Sequence, residues 1–225
     1  MTTRIGFVLF PRFTQLDLTG PYEVFGRLPD AQVLLVGAEA RSDTGLRLRP
    51  DVDFAGAPQL DVLCVPGGPG VNGAMEDEAL LTFLREQAQG AAWITSVCTG
   101  ALVLGAAGLL QGYRATTHWL SMDLLPRFGA IPVRERVVID RNRATGGGVT
   151  AGIDFGLRLA AELRGEKVAK EIQLLMEYDP APPYAAGSPA SAGPELVASL
   201  TAARRAIGDE RRGIVERAAA RLRGP

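Results

Sequence analysis

The sequence predicts an α/β fold in which helices pack on a mostly parallel β-sheet, and three observations carry this prediction. Short, continuous apolar runs alternate along the chain with helical patterns, which is typical of βαβ units. Hydrophobic residues make up 47% of the 225 residues, so a large core can be filled. The length fits one α/β domain of roughly 200–250 residues, or at most two small domains.

Four apolar runs are predicted to be strands buried on both faces, because polar residues do not alternate within them; they are residues 5–10, 32–37, 61–65 and 93–97. Between these strands, residues 17–28 and 78–89 have helical patterns, the second with apolar positions at Leu80, Leu81 and Leu84. Residues 44–54 alternate and contain a glycine and a proline, which favours a small exposed hairpin or strand pair.

In the second half of the chain, residues 137–140 and 143–145 flank a short turn and are predicted to form a hairpin. Two consecutive helices are expected at residues 150–164 and 166–178, separated by Gly165.

The composition changes after the second of these helices. Residues 179–194 contain five prolines, too many for a helix or a central strand, and are expected to form an extended strap. Residues 195–223 are again helical in pattern, although Gly208 and Gly213 would allow two shorter helices. The predicted organisation is a domain at 1–178, the strap at 179–194, and a helical tail at 195–225 that packs on the domain or on a dimer partner.

Charge and cysteine content exclude several functional classes. With 24 basic and 25 acidic residues, the chain lacks the excess of Lys and Arg that a broad nucleic-acid interface needs. The first ten residues show no signal peptide, and the most membrane-like window, residues 91–110, contains three glycines and polar residues, so we expect no membrane span. One histidine and two cysteines nearly exclude a His/Cys metal cage, and free thiols favour a reducing, cytoplasmic location.

The sharpest feature is the segment WITSVCTG at residues 93–100. An apolar strand ends at Cys98 and a helix of small residues begins at once, which is the layout of a nucleophile elbow. The helix N-terminus is expected to lower the pKa of the thiol and so favour the thiolate. The alternative is a small cysteine buried where a strand meets a helix, and that alternative is strongly favoured for Cys64, which lies inside a predicted strand.

Two glycine-rich loops follow other predicted strands. Residues 66–70 (PGGPG) come directly after the third apolar run, where backbone N–H groups could bind an anion. No Lys follows, so this is not a phosphate loop of the P-loop type. Residues 146–148 (GGG) form a similar loop before a predicted helix, and either loop could also be a plain tight turn.

General acid–base chemistry beside Cys98 would need a second side chain. Asp17 lies near the start of a helix just beyond the first strand, so it is either a helix cap or a carboxyl group at the same sheet edge. His118, in ATTHW, is the only alternative base, but a lone histidine next to a tryptophan is more often structural.

Together these residues resemble the DJ-1/PfpI superfamily. The resemblance covers about residues 4–178 and is carried by the segments LDLTGPYEVF, VPGGPG, SVCTGALVLGAAGLL, ATTHW and TGGGVTAGIDF. It implies a flavodoxin-like, doubly wound sheet with helices on both faces, a homodimer, and no metal or organic cofactor. Within the superfamily the chain is most similar to enzymes that hydrate isonitriles, because Asp17 stands where many relatives have Glu and the segment EYDPAPPYAAGSP resembles their tail.

That resemblance implies specific roles. Cys98 would attack the isonitrile carbon, Asp17 would act as acid and then as base, and backbone N–H groups near Gly68 and Thr99 would stabilise negative charge. Thr99 and His118 would lie around these groups and support them without reacting. Small-molecule isonitrile and water would be the partners, with neither nucleic acid nor membrane.

Other branches of the superfamily fit less well. A glutamine amidotransferase needs a His-x-Glu motif, yet Trp119 and Leu120 follow the single histidine; a PfpI-type peptidase has His directly after its cysteine, where Thr99 stands. Glyoxalase- or deglycase-like members usually carry Glu at the Asp17 position. The remaining alternative is a ligand-sensing domain like those of AraC-type regulators, which share SVCTGA and ATTHW but add two helix-turn-helix units that residues 195–223 are too short to supply.

Overall fold

The computed structural model describes residues 2–223, which form a six-stranded main sheet, two small two-stranded sheets, and helices on both faces of the main sheet. Residue 1 of the predicted domain and residues 224–225 of the predicted tail lie outside the described residues. The strands are β1 (Thr3–Leu9), β2 (Ala31–Gly37), β3 (Ala40–Arg41), β4 (Arg47–Leu48), β5 (Val62–Val65), β6 (Trp93–Val97), β7 (Arg114–Ala115), β8 (Ile131–Pro132), β9 (Val137–Asp140) and β10 (Arg143–Gly146).

The helices of the described part lie between and after these strands. They are α1 (Gln15–Phe25), α2 (Val71–Ala74), α3 (Glu78–Gly90), α4 (Gly100–Ala106), α5 (Ala151–Arg164), α6 (Glu166–Leu175), α7 (Pro189–Ala192), α8 (Pro194–Ala203) and α9 (Arg205–Arg223), together with a 3₁₀ helix at Trp119–Phe128. None of the helices within residues 2–223 has the length and apolar character needed to cross a membrane.

The main sheet has the strand order β2-β1-β5-β6-β10-β9, and all neighbours are parallel except β9 and β10. Helices α1 and α5 cover one face, and α3 and α4 cover the other. Strand β5 is buried along its whole length, as its continuous apolar run predicts. The predicted flavodoxin-like, doubly wound sheet with a C-terminal helical extension is therefore confirmed.

Helix α3 shows how local sequence produces these elements. Asp77 caps it, because its carboxylate accepts hydrogen bonds from the backbone N–H groups of Ala79 and Leu80 at 3.0 and 3.1 Å. Leu80, Leu81 and Leu84, at helical spacing, are buried against the sheet. The amphipathic pattern thus predicts both the helix and its buried face.

Three local predictions differ from the structure. The small strand pair lies at β3 and β4, earlier than predicted, because a turn closed by the Ser42 N–H to Leu46 carbonyl bond at 2.8 Å places the strands on either side of it. The strap is not extended throughout: Ser188 caps the short helix α7. The tail helices part at Arg204, whereas Gly208 and Gly213 lie inside α9, where tertiary packing outweighs their low helix propensity.

The tail packs on its own domain. Helix α9 buries Ile214, Val215, Ala218 and Ala219 as a stripe against α2, α4 and the 3₁₀ helix. Ion pairs at its rim join Arg217 to Glu76 at 2.8 Å and Arg212 to Asp123 at 2.7 Å. Such exposed pairs contribute little, so the apolar stripe holds the tail in place.

Deleting residues 195–225 is expected to lower solubility or to change the oligomeric state, because the surface under the apolar stripe becomes exposed. Light scattering of the purified truncated chain measures both effects. Arg217→Ala is the matched control, since it removes only a rim ion pair and is expected to leave size and solubility unchanged. A truncated chain as soluble as the intact protein and of the same assembly size would contradict the prediction.

Candidate active site

The site lies at the carboxyl edge of the main sheet, where the loops after β1, β5, β6 and β10 meet. The Thr14 N–H donates to the Gly67 carbonyl at 2.9 Å, which ties the first loop to the second. The Cys98 N–H donates to the carbonyls of Gly146 and Gly147 at 3.0 and 2.8 Å, which ties the third loop to the fourth. This crevice is the usual ligand-binding position in an open α/β sheet.

Cys98 occupies the tight turn between β6 and α4. Its φ of 56° is in the left-handed region, which a residue with a side chain adopts only under constraint. The hydroxyl of Thr117 donates to the Cys98 carbonyl at 2.8 Å, and a side chain at Gly100 would overlap the carbonyls of Val65 and Pro66. These contacts hold the cysteine at the position that the nucleophile-elbow pattern predicts.

Asp17 is completely buried beside Cys98 and does not cap its helix. Thr14 occupies the N-cap position of α1, while Oδ2 of Asp17 accepts the N–H of Gly67 at 2.9 Å. Its other oxygen, Oδ1, is buried with no hydrogen-bond partner among the described residues. Burial raises the pKa of Asp17 to about 7, against the opposing effect of the Gly67 N–H.

Cys98 and Asp17 form a coupled acidic pair. Burial, followed by the charge of Asp17, raises the pKa of the Cys98 thiol, and the N–H of Thr99 only partly opposes this. The predicted lowering of this pKa by the helix N-terminus is therefore wrong, because desolvation and the adjacent carboxylate outweigh it. Protons held by this pair belong to both groups together.

The two backbone positions predicted to stabilise negative charge border the same cavity. The Gly68 N–H donates to the Thr99 hydroxyl at 3.0 Å, so it must exchange this partner before it can bind a substrate oxygen. The Thr99 N–H and hydroxyl both act on the Cys98 sulfur and lower the pKa of the thiol.

His118 lies in the wall of the cavity at the start of the 3₁₀ helix. Its Nδ1 accepts the N–H of Leu120 at 3.4 Å, which is a weak capping interaction. Burial, then the charges of Arg211 and Arg204, lower the pKa of His118, so the imidazole is neutral at neutral pH. Its position is that of a cavity-lining residue.

The cavity has a volume of about 490 Å³, enough for a small organic molecule. Cys98, Thr99 and Gly68 line it on the sheet side. On the opposite side the wall is formed by the tail, including Ile207 and Arg211. The C-terminal helices thus contribute to the site as well as to stability.

Sequence reasoning missed Arg211 and the two side chains that hold it. Its guanidinium donates from Nε to Asn72 Oδ1 at 2.9 Å and from Nη1 to the Ser121 hydroxyl at 3.2 Å. One signal was available: Arg211 lies three residues before Ile214, in register with the apolar stripe of α9, where a charged residue is unusual. Asn72 and Ser121 carry no comparable signal.

Cys64 contrasts with Cys98 as predicted. It is buried in β5, and its sulfur accepts a hydrogen bond from the Thr95 hydroxyl at 3.0 Å. Burial raises the pKa of Cys64 to about 12.

Within residues 2–223, no three His, Cys, Asp or Glu side chains are grouped so that they could hold a metal ion.

Comparison with known proteins agrees with this arrangement. The chain matches the DJ-1/PfpI family over residues 3–162. It is 57% identical to an isonitrile hydratase of Pseudomonas putida over 226 residues, which is 99% of both chains. It is also 31% identical over 186 residues to the HTH-type transcriptional regulator GbdR of Pseudomonas aeruginosa, covering 78% of this chain and 50% of the regulator.

A solved structure extends the similarity to the tail. A THiJ/PfpI family protein from Pseudomonas syringae superimposes with a TM-score of 0.93 at 42% identity, over 96% of this chain and 91% of that one. The family match, the near full-length similarity to the hydratase and the cysteine at the end of β6 lead to one conclusion. The chain belongs to the DJ-1/PfpI family.

Proposed function

We propose that the protein is a cysteine-dependent hydro-lyase that adds water to an isonitrile, R–N≡C, to give an N-substituted formamide. One observation carries the proposal: the elbow cysteine lines a cavity and is paired with a fully buried aspartate, in a chain similar over nearly its full length to an isonitrile hydratase. Asp17 is the residue that distinguishes this activity from the glyoxalase- and deglycase-like branches.

In the first step, the Cys98 sulfur attacks the terminal carbon of the isonitrile. That carbon accepts the electron pair and needs a proton, which Asp17 delivers after taking it from the thiol. An S–C bond and a C–H bond form at the same carbon, and the product is a thioimidate, Cys98–S–CH=N–R. The pair reacts when it holds one proton, because the proton then moves from sulfur to carbon by way of the carboxyl group.

In the second step, Asp17 as carboxylate removes a proton from water, and the oxygen attacks the thioimidate carbon. Asp17 passes this proton to nitrogen, which gives the adduct Cys98–S–CH(OH)–NHR. As the C=O bond forms and the C–S bond breaks, Asp17 carries the hydroxyl proton to sulfur, so the formamide leaves with the thiol restored. Thr99 and Gly68 N–H groups stabilise negative charge at sulfur and oxygen in this step. The sequence of bonds needs only water, so we propose that no cofactor takes part.

The rate is expected to rise with pH through about 7 and then level off. Burial raises the pKa of Asp17 to about 7, so below this pH the pair holds two protons and the carboxyl group cannot accept one from the thiol. A profile of kcat/KM from pH 5 to 9 measures this rise. In Asp17→Asn the rise near pH 7 should disappear. A flat profile in the intact protein would contradict the proposed role of Asp17 as proton acceptor.

The decisive test is to incubate the purified protein with a small aromatic isonitrile and follow formamide formation. Product should appear much faster than in a matched sample of Cys98→Ala. If both samples react at the background rate, the hydratase proposal fails, and methylglyoxal consumption and small-ligand binding then test the glyoxalase and sensor alternatives. The 31% identity to the transcriptional regulator GbdR is the observation that supports the sensor alternative.

The protein is further proposed to be a cytoplasmic homodimer that binds neither nucleic acid nor membrane. Exposed apolar side chains on α6, Leu174 and Leu175, together with Tyr184 of the strap, offer surface for a partner copy. A net charge of −1 supports the absence of nucleic-acid binding, and two free cysteines support a reducing compartment.

A further inference from the structure

Arg211 is a buried cation whose bonding partners are all neutral. Only 9% of the residue is exposed, and besides Asn72 and Ser121 its guanidinium approaches the Gly68 carbonyl, at 3.5 Å. No carboxylate within residues 2–223 forms an ion pair with it. A buried charge without a counter-charge is strongly unfavourable, so an anion is expected to share its surroundings.

The anion that the site itself generates is the Cys98 thiolate. Arg211 and Cys98 line the same cavity, and the carbonyl that Arg211 approaches belongs to Gly68, whose N–H is bonded to the hydroxyl of Thr99, the residue after Cys98. Burial lowers the pKa of the Arg211 guanidinium, and the charges of Cys98 and Glu210 only partly oppose this.

We propose that Arg211 is a positioning residue that stabilises the Cys98 thiolate, so that helix α9 of the tail completes the reactive centre. Its cation favours the form of the pair in which sulfur is charged and the proton resides on Asp17, ready for transfer to carbon. The effect on thiol reactivity is independent of the substrate, whereas its effect on isonitrile turnover rests on the proposed function.

Other titratable groups face Cys98, and their charges also affect its ionisation. On the sheet side Asp17 opposes the thiolate directly, and Asp43, whose carboxylate accepts the Thr14 hydroxyl at 2.9 Å, lies at the cavity rim. On the 3₁₀ helix, His118 is neutral at neutral pH. None of these groups supplies a positive charge at neutral pH.

The remaining charges lie on the tail and on the elements packed against it. Exposed Arg204 and Arg205 line the cavity mouth, where solvent weakens their charges, although Arg204 still lowers the pKa of His118. The acidic Asp209 and Glu210 are exposed as well. Ion pairs at the rim join Arg212 to Asp123, Arg217 to Glu76, Glu216 to Arg127 and Arg221 to Glu78. Among the described residues that line the cavity, Arg211 is therefore the one buried cation.

The test is the pH dependence of Cys98 alkylation by iodoacetamide, followed by mass spectrometry of the peptide that contains Cys98. Arg211→Gln keeps hydrogen-bonding N–H groups but removes the charge. It should move the alkylation profile to higher pH by about one unit, which makes alkylation at pH 7.5 about tenfold slower. Arg211→Lys, which keeps the charge, should recover most of the lost reactivity.

Arg217→Met is the matched control, because it removes an arginine from the same helix at a position outside the cavity. Its alkylation profile should coincide with that of the intact protein. Melting temperatures of all variants separate a loss of packing from a loss of charge. If Arg211→Gln is folded and its profile is unshifted, Arg211 serves only to dock the tail and the proposal is overturned.

If Arg211→Gln does not fold, Asn72→Ala carries the test from a different helix. Asn72 accepts the Nε–H of Arg211, so its loss should loosen the guanidinium and shift the profile in the same direction by a smaller amount. An unshifted profile in folded Asn72→Ala overturns the proposal. Both results stand whether or not the protein hydrates isonitriles, so failure here is distinguishable from failure of the proposed function.

Discussion

Replacing Cys98 with serine is expected to reduce isonitrile turnover by more than about 10³-fold while leaving the fold intact. The thiol is the proposed nucleophile, and removal of a covalent nucleophile abolishes the pathway that depends on it. A serine hydroxyl keeps nearly the same volume in the elbow, so the contacts of Thr117 and Gly146 with the backbone of residue 98 remain. Steady-state turnover and circular dichroism measure the two effects.

Cys64 provides the matched control for Cys98. Both cysteines are buried, but Cys64 lies inside β5 and contacts Thr95 at 3.0 Å, away from the main cavity. Cys64→Ala should retain nearly full turnover at some loss of stability. Turnover within a few-fold of normal in Cys98→Ser would show that the thiol is not the nucleophile.

The second large effect is expected at Asp17. Asp17→Asn should lower turnover by about 10²-fold or more, because an amide neither donates an acidic proton nor accepts one at neutral pH. Its side-chain oxygen can still accept the Gly67 N–H, so the hydrogen bond that holds the loop after β5 is retained. Turnover and thermal melting should be measured on the same preparation.

The same substitution is expected to raise the melting temperature at pH 8. Because the pKa of Asp17 rises from 3.8 to about 7 on folding, the folded protein binds more protons than the unfolded chain between these values. Stability that is present below about pH 4 is thus lost as the pH rises through 7, by on the order of 4 kcal/mol, and a neutral amide avoids this loss. A lower melting temperature at pH 8 would indicate a structural role for the carboxylate.

Asp17→Glu separates geometry from charge. The longer side chain keeps a carboxyl group but places it about one methylene further toward the sulfur, so most hydratase activity should be lost. If Asp17→Asn keeps nearly full activity, the carboxyl group is structural, and His118 or an ordered chain of water molecules must move the proton.

Much of the fold follows from the sequence because its signals are local. Continuous apolar runs mark β1, β5 and β6, and spacing of leucines marks α3, so burial and periodicity suffice. The position of Cys98 is likewise local, since strand, turn and helix are consecutive. The break of the tail at Arg204 is different, because it depends on how α9 packs on a surface formed by α2, α4 and the 3₁₀ helix, far earlier in the chain.

The chemistry of the site depends on long-range contacts and was therefore predicted less well. The expected low pKa of the Cys98 thiol rested on the adjacent helix alone, whereas burial and Asp17, which lies 81 positions earlier in a different element, raise this pKa. Arg211 was missed because its significance depends on Asn72 and Ser121, which no sequence spacing connects to it.

The cavity wall formed by α8 and α9 has a consequence for how such an enzyme can diversify. The proposed reacting groups, Cys98 after β6 and Asp17 on α1, belong to the α/β domain, while Ile207 and its tail neighbours set the shape of the space in front of Cys98. Substitutions in the tail can thus alter which molecules fit without disturbing the strained turn that presents the sulfur. Selection for a new substrate, in nature or in the laboratory, therefore has the most freedom to act on α8 and α9.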